Sequence, residues 1–565
     1  MVLRALKRCA AATQPAALAC VLLLATSLTV QAEPDSSAVA TAPTTEQSLQ
    51  DLLLAKTQGP SVAYAAQDQL LAFYASRDFK PAWSGSTSAT SRAEAVRSVL
   101  EHADAQGLRS DDYMSALSKW DGAPEDGADA AKYDLAMTAA LLRYARDVRI
   151  GRLDPGSVYK DVRLPKQDFD PTAALSAALK HRSIDDFLEE LPPPQEEYRN
   201  LVAALAAYRE IEAEGGWPSV PSKTAIALDG TDSRAAALMK RLAFEDSALA
   251  TNPDASMSEL REAVLRYQRR NGLNDDGKVG PEMLKMLNIP ASYRIQQIVA
   301  NMERWRWMPR KLERRYIAIN VPDQSLDFIR GGDVALHSRV VIGRKDNQTP
   351  ILRTMVLAVI ANPPWNIPDD IVAKTILPQL RRSPDYLATR NMVLADGPDG
   401  DPQGTSIDWS NVSAKDIPYQ FQQSPGADNA LGSLMLDMPN DFNVYLHDTP
   451  NKKLFVSGMR EISHGCVRVE QILPLASLAL TDGSDDSSDD INEAIATGET
   501  QSLKLSEPLP VYMLYWTAIA TSDGAAGFRT DLYDRDRVLI AKLGSPAKPR
   551  RVAHSDDGHR ANSNS

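Results

Sequence analysis

The sequence predicts a multidomain α and β chain: a helical first part, a small three-helix unit, and a mainly-β domain interrupted by an insertion. Three observations predict it. At 565 residues the chain is too long for one hydrophobic core, and length suggests about three or four domains. Up to about residue 290, apolar residues recur at helical spacing. After Arg310 the period falls to two. The composition, 43% apolar and 24% charged, is that of an ordinary soluble protein. A net charge of −12 with no strongly basic domain argues against nucleic acid as a partner, because phosphate binding needs a basic face.

Residues 1–32 have the form of a signal peptide. Arg4, Lys7 and Arg8 make a positive start, Ala16 to Val30 an apolar run, and Val30-Gln31-Ala32 a small-residue cleavage site. An uncleaved membrane anchor is the alternative, although the run is short for a bilayer span. Residues 33–47, rich in Ser, Thr, Ala and Pro, read as a flexible leader. Residues 48–250 read as helical. Ala95, Val96, Val99 and Leu100 share one face, and Leu191-Pro192-Pro193-Pro194 breaks the pattern. Residues 251–290 form the small unit. Leu260, Val264 and Tyr267 recur at helical spacing, Asn271-Gly272 is a stop, Asp275-Asp276-Gly277 a turn, and Pro281 a helix start. Ser292 is the expected cap of a further helix within 291–310.

The mainly-β domain is expected over 311–540. Ile317, Ile319 and Val321 alternate, and Gly331-Gly332-Asp333 turns the chain back into Val334 to Ile342. Met355 to Ile360, Leu434 to Leu436 and Phe442 to Leu446 read as further strands. Residues 368–430 mix a helix over Asp370 to Arg382 with Pro-, Gly- and Asp-rich loops. They are too many for a simple loop and read as an inserted lid subdomain. Glu470 to Leu480 reads as a helix, Asp482 to Asp490 as an acidic loop, and Val511 to Ala520 with Phe528 to Tyr533 as a last hairpin. The tail, 541–565, is polar and expected to be disordered.

Of three cysteines, Cys9 and Cys20 leave with the signal, so an exported mature chain keeps Cys466 alone. In an oxidising compartment a lone thiol is either reactive, paired between molecules, or buried and inert. Cys466 lies in Ser463-His464-Gly465-Cys466-Val467-Arg468-Val469-Glu470, ahead of the expected helix. A helix entrance would stabilise its thiolate, and the N–H groups of Gly465 and Cys466 would cradle an oxyanion. The base is sought among seven histidines. His447, nineteen residues before Cys466, ends an expected strand and can reach it across the loop. Read as bare residues, His447 is equally a hydrogen-bonded strand-end histidine and His464 a plain loop residue. A zinc site from His447, His464 and Cys466 lacks a further ligand at suitable spacing.

Ser463 to Val469, with Tyr445-Leu446-His447-Asp448-Thr449-Pro450 upstream, resembles the active site of L,D-transpeptidases of the YkuD fold. Val341 to Arg344, Gln348-Thr349-Pro350 and Asn362 to Pro368 resemble the large Gram-negative YcbB-type branch. Residues 256 to 290 resemble a peptidoglycan-binding domain of three short helices. Phe73-Tyr74 to Pro81-Ala82-Trp83 and Asn301 to Trp307 resemble that branch's scaffold domain. Many smaller members have Asn where this chain has Arg468, whose role stays open between oxyanion support, substrate contact and packing.

The resemblance implies a helical scaffold domain, a peptidoglycan-binding domain and a YkuD-like catalytic domain in the periplasm. Its substrate would be peptidoglycan: a tetrapeptide donor stem and an acceptor stem. Cys466 would attack the carbonyl of the donor's third residue with His447 as base and Tyr445 near the oxyanion. D-Ala would leave, and an amine of a second stem would resolve the thioester into a three–three cross-link, without metal or organic cofactor. His464 would orient the loop or the substrate, and Trp365 would line the donor groove or serve as a core aromatic. The alternatives are an L,D-carboxypeptidase, attachment of a protein amine, and a non-catalytic wall-binding scaffold. Association with other cell-wall synthesis proteins is also compatible with this reading.

Overall fold

The computed structural model describes residues 42–545, apart from 55–66, 126, 182, 222–223, 253, 459, 482–486 and 523. The expected signal peptide, most of the expected leader and the chain beyond 545 lie outside the described residues. Among the described residues no helix is long and apolar enough to cross a membrane. The first helix begins at Thr45, inside the stretch expected to be leader, and the last runs Arg535–Gly544, past the expected start of the tail.

The helical part packs around Gly127–Ile150, which is buried over most of its length. Asp134 on this helix sits at the centre of a polar knot. Its carboxylate accepts from the Ala82 and Trp83 N–H groups, the Ser84 hydroxyl and the Tyr74 hydroxyl. Trp83 Nε1 donates to Thr138 on the next turn. The segment from Phe73 to Trp83 is thus fixed by one buried carboxylate whose hydrogen bonds are met by the chain itself.

The small unit keeps its expected punctuation. Ser256 and Glu259 form a reciprocal capping box on Met257–Arg270, Asn271 caps that helix, and Pro281 opens Pro281–Leu287. Gln268 ties the turn by accepting from Gly277 N–H and donating to the Lys278 carbonyl. Its core is larger than expected. Leu238, Leu242 and Leu249 pack with Leu260, Val264 and Leu284. The helix Ala235–Leu242, assigned above to the scaffold, therefore belongs to this core. Helix Ala291–Arg306 starts after Pro290, one residue before the expected Ser292 cap.

The β domain uses these strands: β1 Val162–Arg163, β2 Arg315–Asn320, β3 Ser325–Arg330, β4 Asp333–Gly343, β5 Ile351–Ala361, β6 Trp365–Ile367, β7 Met392–Leu394, β8 Phe421–Gln423, β9 Leu434–Asp437, β10 Leu446–His447, β11 Glu461–Ser463, β12 Val467–Val469, β13 Gln501–Leu514, β14 Ala518–Ala520 and β15 Ala526–Phe528. The main sheet runs β5-β13-β2-β3-β4-β12-β10-β9, and β9 pairs back onto β5, so the sheet closes on itself. Inward residues such as Ile317, Phe328, Val340, Val359, Leu446, Val467 and Val511 fill one core with helix Ile472–Leu480. β1, from the helical part, joins in parallel at the start of β5.

Three expectations change here. Phe442 to Val444 are not strand: Asn440 gathers this stretch into a loop by accepting from Phe442 and Val444 N–H. Ser488 to Asp490 open helix Ser488–Ala496 instead of a loop. The last hairpin is β14–β15, because Gln501–Leu514 is consumed by pairing with β2 and β5. β6, which leads into the insertion, pairs with β8 and β7 inside it in a separate small sheet over a core of Ile371, Leu377, Leu380, Trp409 and Phe421.

Candidate active site

Two adjacent strands assemble the site. β10 and β12 pair in parallel, with Leu446 opposite Val467 and His447 opposite Arg468. Side chains alternate along a strand, so Leu446, Val467 and Val469 point into the core. Tyr445, His447, Cys466 and Arg468 share the other face. His447 thus lies on β10, and Cys466 immediately precedes the neighbouring β12.

The backbone around Cys466 is over-determined. Gly465 has φ +113, a conformation that disfavours any side chain. Ser463 Oγ accepts from Gly465 N–H at 3.1 Å and donates to the Cys466 carbonyl at 2.6 Å. This corrects the oxyanion assignment: the Gly465 N–H is already engaged, which leaves the Cys466 N–H as the candidate. From behind, fully buried Thr349 donates to the Gly465 carbonyl and accepts from Gly343 N–H, each at 2.9 Å. Tyr533 donates to the Gly343 carbonyl, and Arg535 reaches Gln348 and Asp161.

Cys466 does not stand at a helix entrance. It precedes β12, and the helix starts at Ile472. The expected helix entrance is therefore six residues away, and burial pushes the thiol up from the ordinary value. The Tyr445 N–H and the Arg468 charge pull down without offsetting burial. Its sulfur lies 3.8 Å from the Asn443 carbonyl, a long contact.

His447 is buried, and its Nδ1 lies 2.6 Å from the Asp448 carbonyl, which fixes Nδ1 as the donor and leaves Nε2 as the basic nitrogen. Burial first, then Arg468, lower its pKa to about 4, against the pull of the carbonyls of Asp448 and Leu431. Both shifts favour the uncharged forms, a thiol and a neutral imidazole. The Asp448 carboxylate binds Lys452 and also holds Ser433 through N–H and hydroxyl at 3.1 and 3.0 Å. Gly432 between them is required, since a Cβ there would lie 2.5 Å from Asp448 Cβ.

The remaining expected residues divide. Tyr445 is half-buried, and burial and the nearby Cys466 raise its pKa. His464 is exposed on the rim, with Nε2 3.0 Å from Arg344. Asp370 and Lys374, on the insertion's first helical segment, act on it electrostatically. Trp365 sits in β6 and packs half-buried against the insertion's own core. Thr349, Asp448 and Leu431 were not singled out as site residues, because two of these three act through backbone groups that any side chain would supply. Thr349 and Asp448 did have a signal, their places in Gln348-Thr349-Pro350 and in the stretch from Tyr445 to Pro450, whereas Leu431 had none.

Three parts of the chain match family models. Residues 68–205 match a scaffold domain, residues 240–287 a family described as "Putative peptidoglycan binding domain", and residues 314–487 the YkuD L,D-transpeptidase catalytic domain. A Haemophilus influenzae protein named "Putative L,D-transpeptidase" is 34% identical over 244 residues, 43% of this chain and 49% of that protein. The chain thus spans about half the length of that curated relative. A solved structure of the Ldtfm–avibactam carbamoyl enzyme is similar at 13% identity and a TM-score of 0.17, over 45% of this chain and 80% of that one.

Proposed function

We propose, from the premise that residues 314–487 are an L,D-transpeptidase catalytic domain, that the whole chain is an exported cysteine acyltransferase that forms three–three cross-links in peptidoglycan. The observation that supports the mechanism is the parallel β10–β12 pairing, with His447 on β10, Cys466 just before β12, and Nδ1 of His447 tied to the Asp448 carbonyl. Peptidoglycan as substrate also sets the place of work outside the cytoplasmic membrane, in keeping with the signal peptide.

Cys466 attacks the carbonyl of the donor's third residue, and Nε2 of His447 takes the thiol proton as the C–S bond forms. The neutral pair suits this step, because thiol and base enter uncharged and charge develops only toward the transition state. The oxyanion rests on the Cys466 N–H with Tyr445 beside it. The imidazolium returns the proton to the departing nitrogen, and D-Ala leaves a thioester. An amine of a second stem, deprotonated by His447, then displaces the sulfur and restores the thiol. The insertion at 368–430, whose Asp370 and Lys374 act on rim residue His464, closes over the donor and holds water away.

The test is intact-mass spectrometry of the full chain with a disaccharide-tetrapeptide, beside Cys466→Ala. A thioester lacking D-Ala, followed by a cross-linked dimer, both absent in the variant, is expected. Tripeptide without dimer would make the chain an L,D-carboxypeptidase. No D-Ala release, with a thiol that still alkylates, would leave a wall-binding scaffold.

A further inference from the structure

Arg468 is the one member of the site face that the mechanism does not use. It sits two residues from Cys466 on the same face of β12 and opposite His447 on β10. It is half-buried, and its Nε is buried without an acceptor. Among the described residues it donates no hydrogen bond and has no carboxylate partner. The groups that act on it are burial, which lowers its pKa, and the Cys466 sulfur. No carboxylate is among the groups that act on its charge; Asp448 binds Lys452 and Ser433, and Glu470 binds Arg339. A partly desolvated guanidinium with no counter-charge is disfavoured, whereas a planar fork matched to a carboxylate is strongly favourable. The fold thus holds a cation beside its nucleophile without supplying the anion.

We propose that Arg468 receives the terminal carboxylate of the donor, the carboxylate of the residue that departs as a free amino acid. The assignment rests on the acyl-transfer reading above. In a tetrapeptide stem that carboxylate is joined to the scissile carbonyl carbon through only the amide nitrogen and one Cα, a separation of about 4 Å. Residues two apart on a strand lie roughly 6.6 Å apart, within the reach of an arginine side chain. With the scissile carbonyl over Cys466, the carboxylate falls within range of the Arg468 fork. Arg468 is then a substrate-binding residue that makes the enzyme read the free C-terminus of its donor. A stem whose terminal carboxylate is blocked, or displaced by a further residue, loses that contact.

The experiment measures initial rates of release of the terminal residue from two disaccharide-tetrapeptides, as the amino acid from one ending in the free carboxylate and as the amino-acid amide from one ending in the carboxamide. Wild-type full chain and Arg468→Gln are compared, with Cys466 alkylation by iodoacetamide as the check on an intact site. The wild type should prefer the acid by about 10- to 100-fold in kcat/KM, the value of a charged hydrogen-bonded contact. Arg468→Gln should treat the two within about twofold, and Arg468→Lys, which keeps charge without the fork, should fall between. Equal rates on both donors in the wild type would overturn the assignment whatever the variants do. An undiminished acid preference in Arg468→Gln would overturn it too. Release from neither donor by a wild type whose Cys466 alkylates would overturn the acyl-transfer reading itself, and this assignment with it.

Discussion

Helix Ala291–Arg306 and strand β12 both carry arginines away from water, and they treat them in opposite ways. Arg304 meets Asp536 at 2.6 Å and the Tyr159 hydroxyl at 3.3 Å; Arg306 meets Glu303 at 3.1 Å and the Tyr198 hydroxyl at 2.8 Å. Burial disfavours the charge on both, yet their partners outweigh it and both pKa values rise. For Arg468 burial prevails and the pKa falls. All three leave Nε without an acceptor, so the difference lies in the fork. A charge that holds domains together is neutralised by the protein. A charge that waits for a ligand is left for the ligand to neutralise.

The largest expected effect tests the first half of that contrast. Asp536→Asn should destabilise the chain by about 3–5 kcal/mol in denaturant unfolding, because it strands Arg304. A loss under about 1 kcal/mol would erase the contrast. Next, Thr349→Val leaves the Gly343 N–H and Gly465 carbonyl unpaired, at about 1–3 kcal/mol. It should also lower kcat for thioester formation more than it alters KM, and Thr349→Ser should restore both. A change in KM alone would show that Thr349 does not position the Cys466 turn.

The pH dependence sharpens the site half. With its pKa at about 4, His447 is neutral through the mildly acidic range, so the acid limb of thioester formation should fall near pH 4. A limb near the ordinary histidine value of about 6.5 would contradict a buried neutral base. Arg468 lowers the pKa of His447, so Arg468→Gln should move this limb upward. The smallest effect closes the comparison. Arg468→Gln should change folding stability by less than about 1 kcal/mol, since it removes an unpaired charge. A loss as large as that of Asp536→Asn would make Arg468 structural.

The sequence made the strands near Ile317, Val334 and Met355 and the helix after Glu470 readable, because each follows from local periodicity. It misplaced the electrostatics of Cys466, since a three-residue strand between thiol and helix has no distinct local pattern. It also offered Gly465 N–H to the oxyanion, although Ser463, two residues away, takes it. The Asp448 and Leu431 carbonyls that face His447 are backbone groups, anonymous in any sequence. The solitude of Arg468 was unreadable for a further reason: a missing partner is a property of every neighbour at once. Long-range pairings were hidden in the same way, as with β1 and with the helix Ala235–Leu242 that joined the small unit's core.

β1 has a consequence for how the molecule is made. Val162 and Arg163 complete the edge of β5, and Asp161 meets Arg535 across 374 positions of chain. Asp161 is separated from Arg535 by most of the chain, so this closure is among the contacts of highest loop-closure cost and is expected late in folding. Contacts of such separation are slow to form and leave an open strand edge in the interim. A fragment cut at residue 311 would keep that edge exposed permanently. Such a fragment should aggregate where the full chain does not, even though every residue of its thiol–imidazole pair is present.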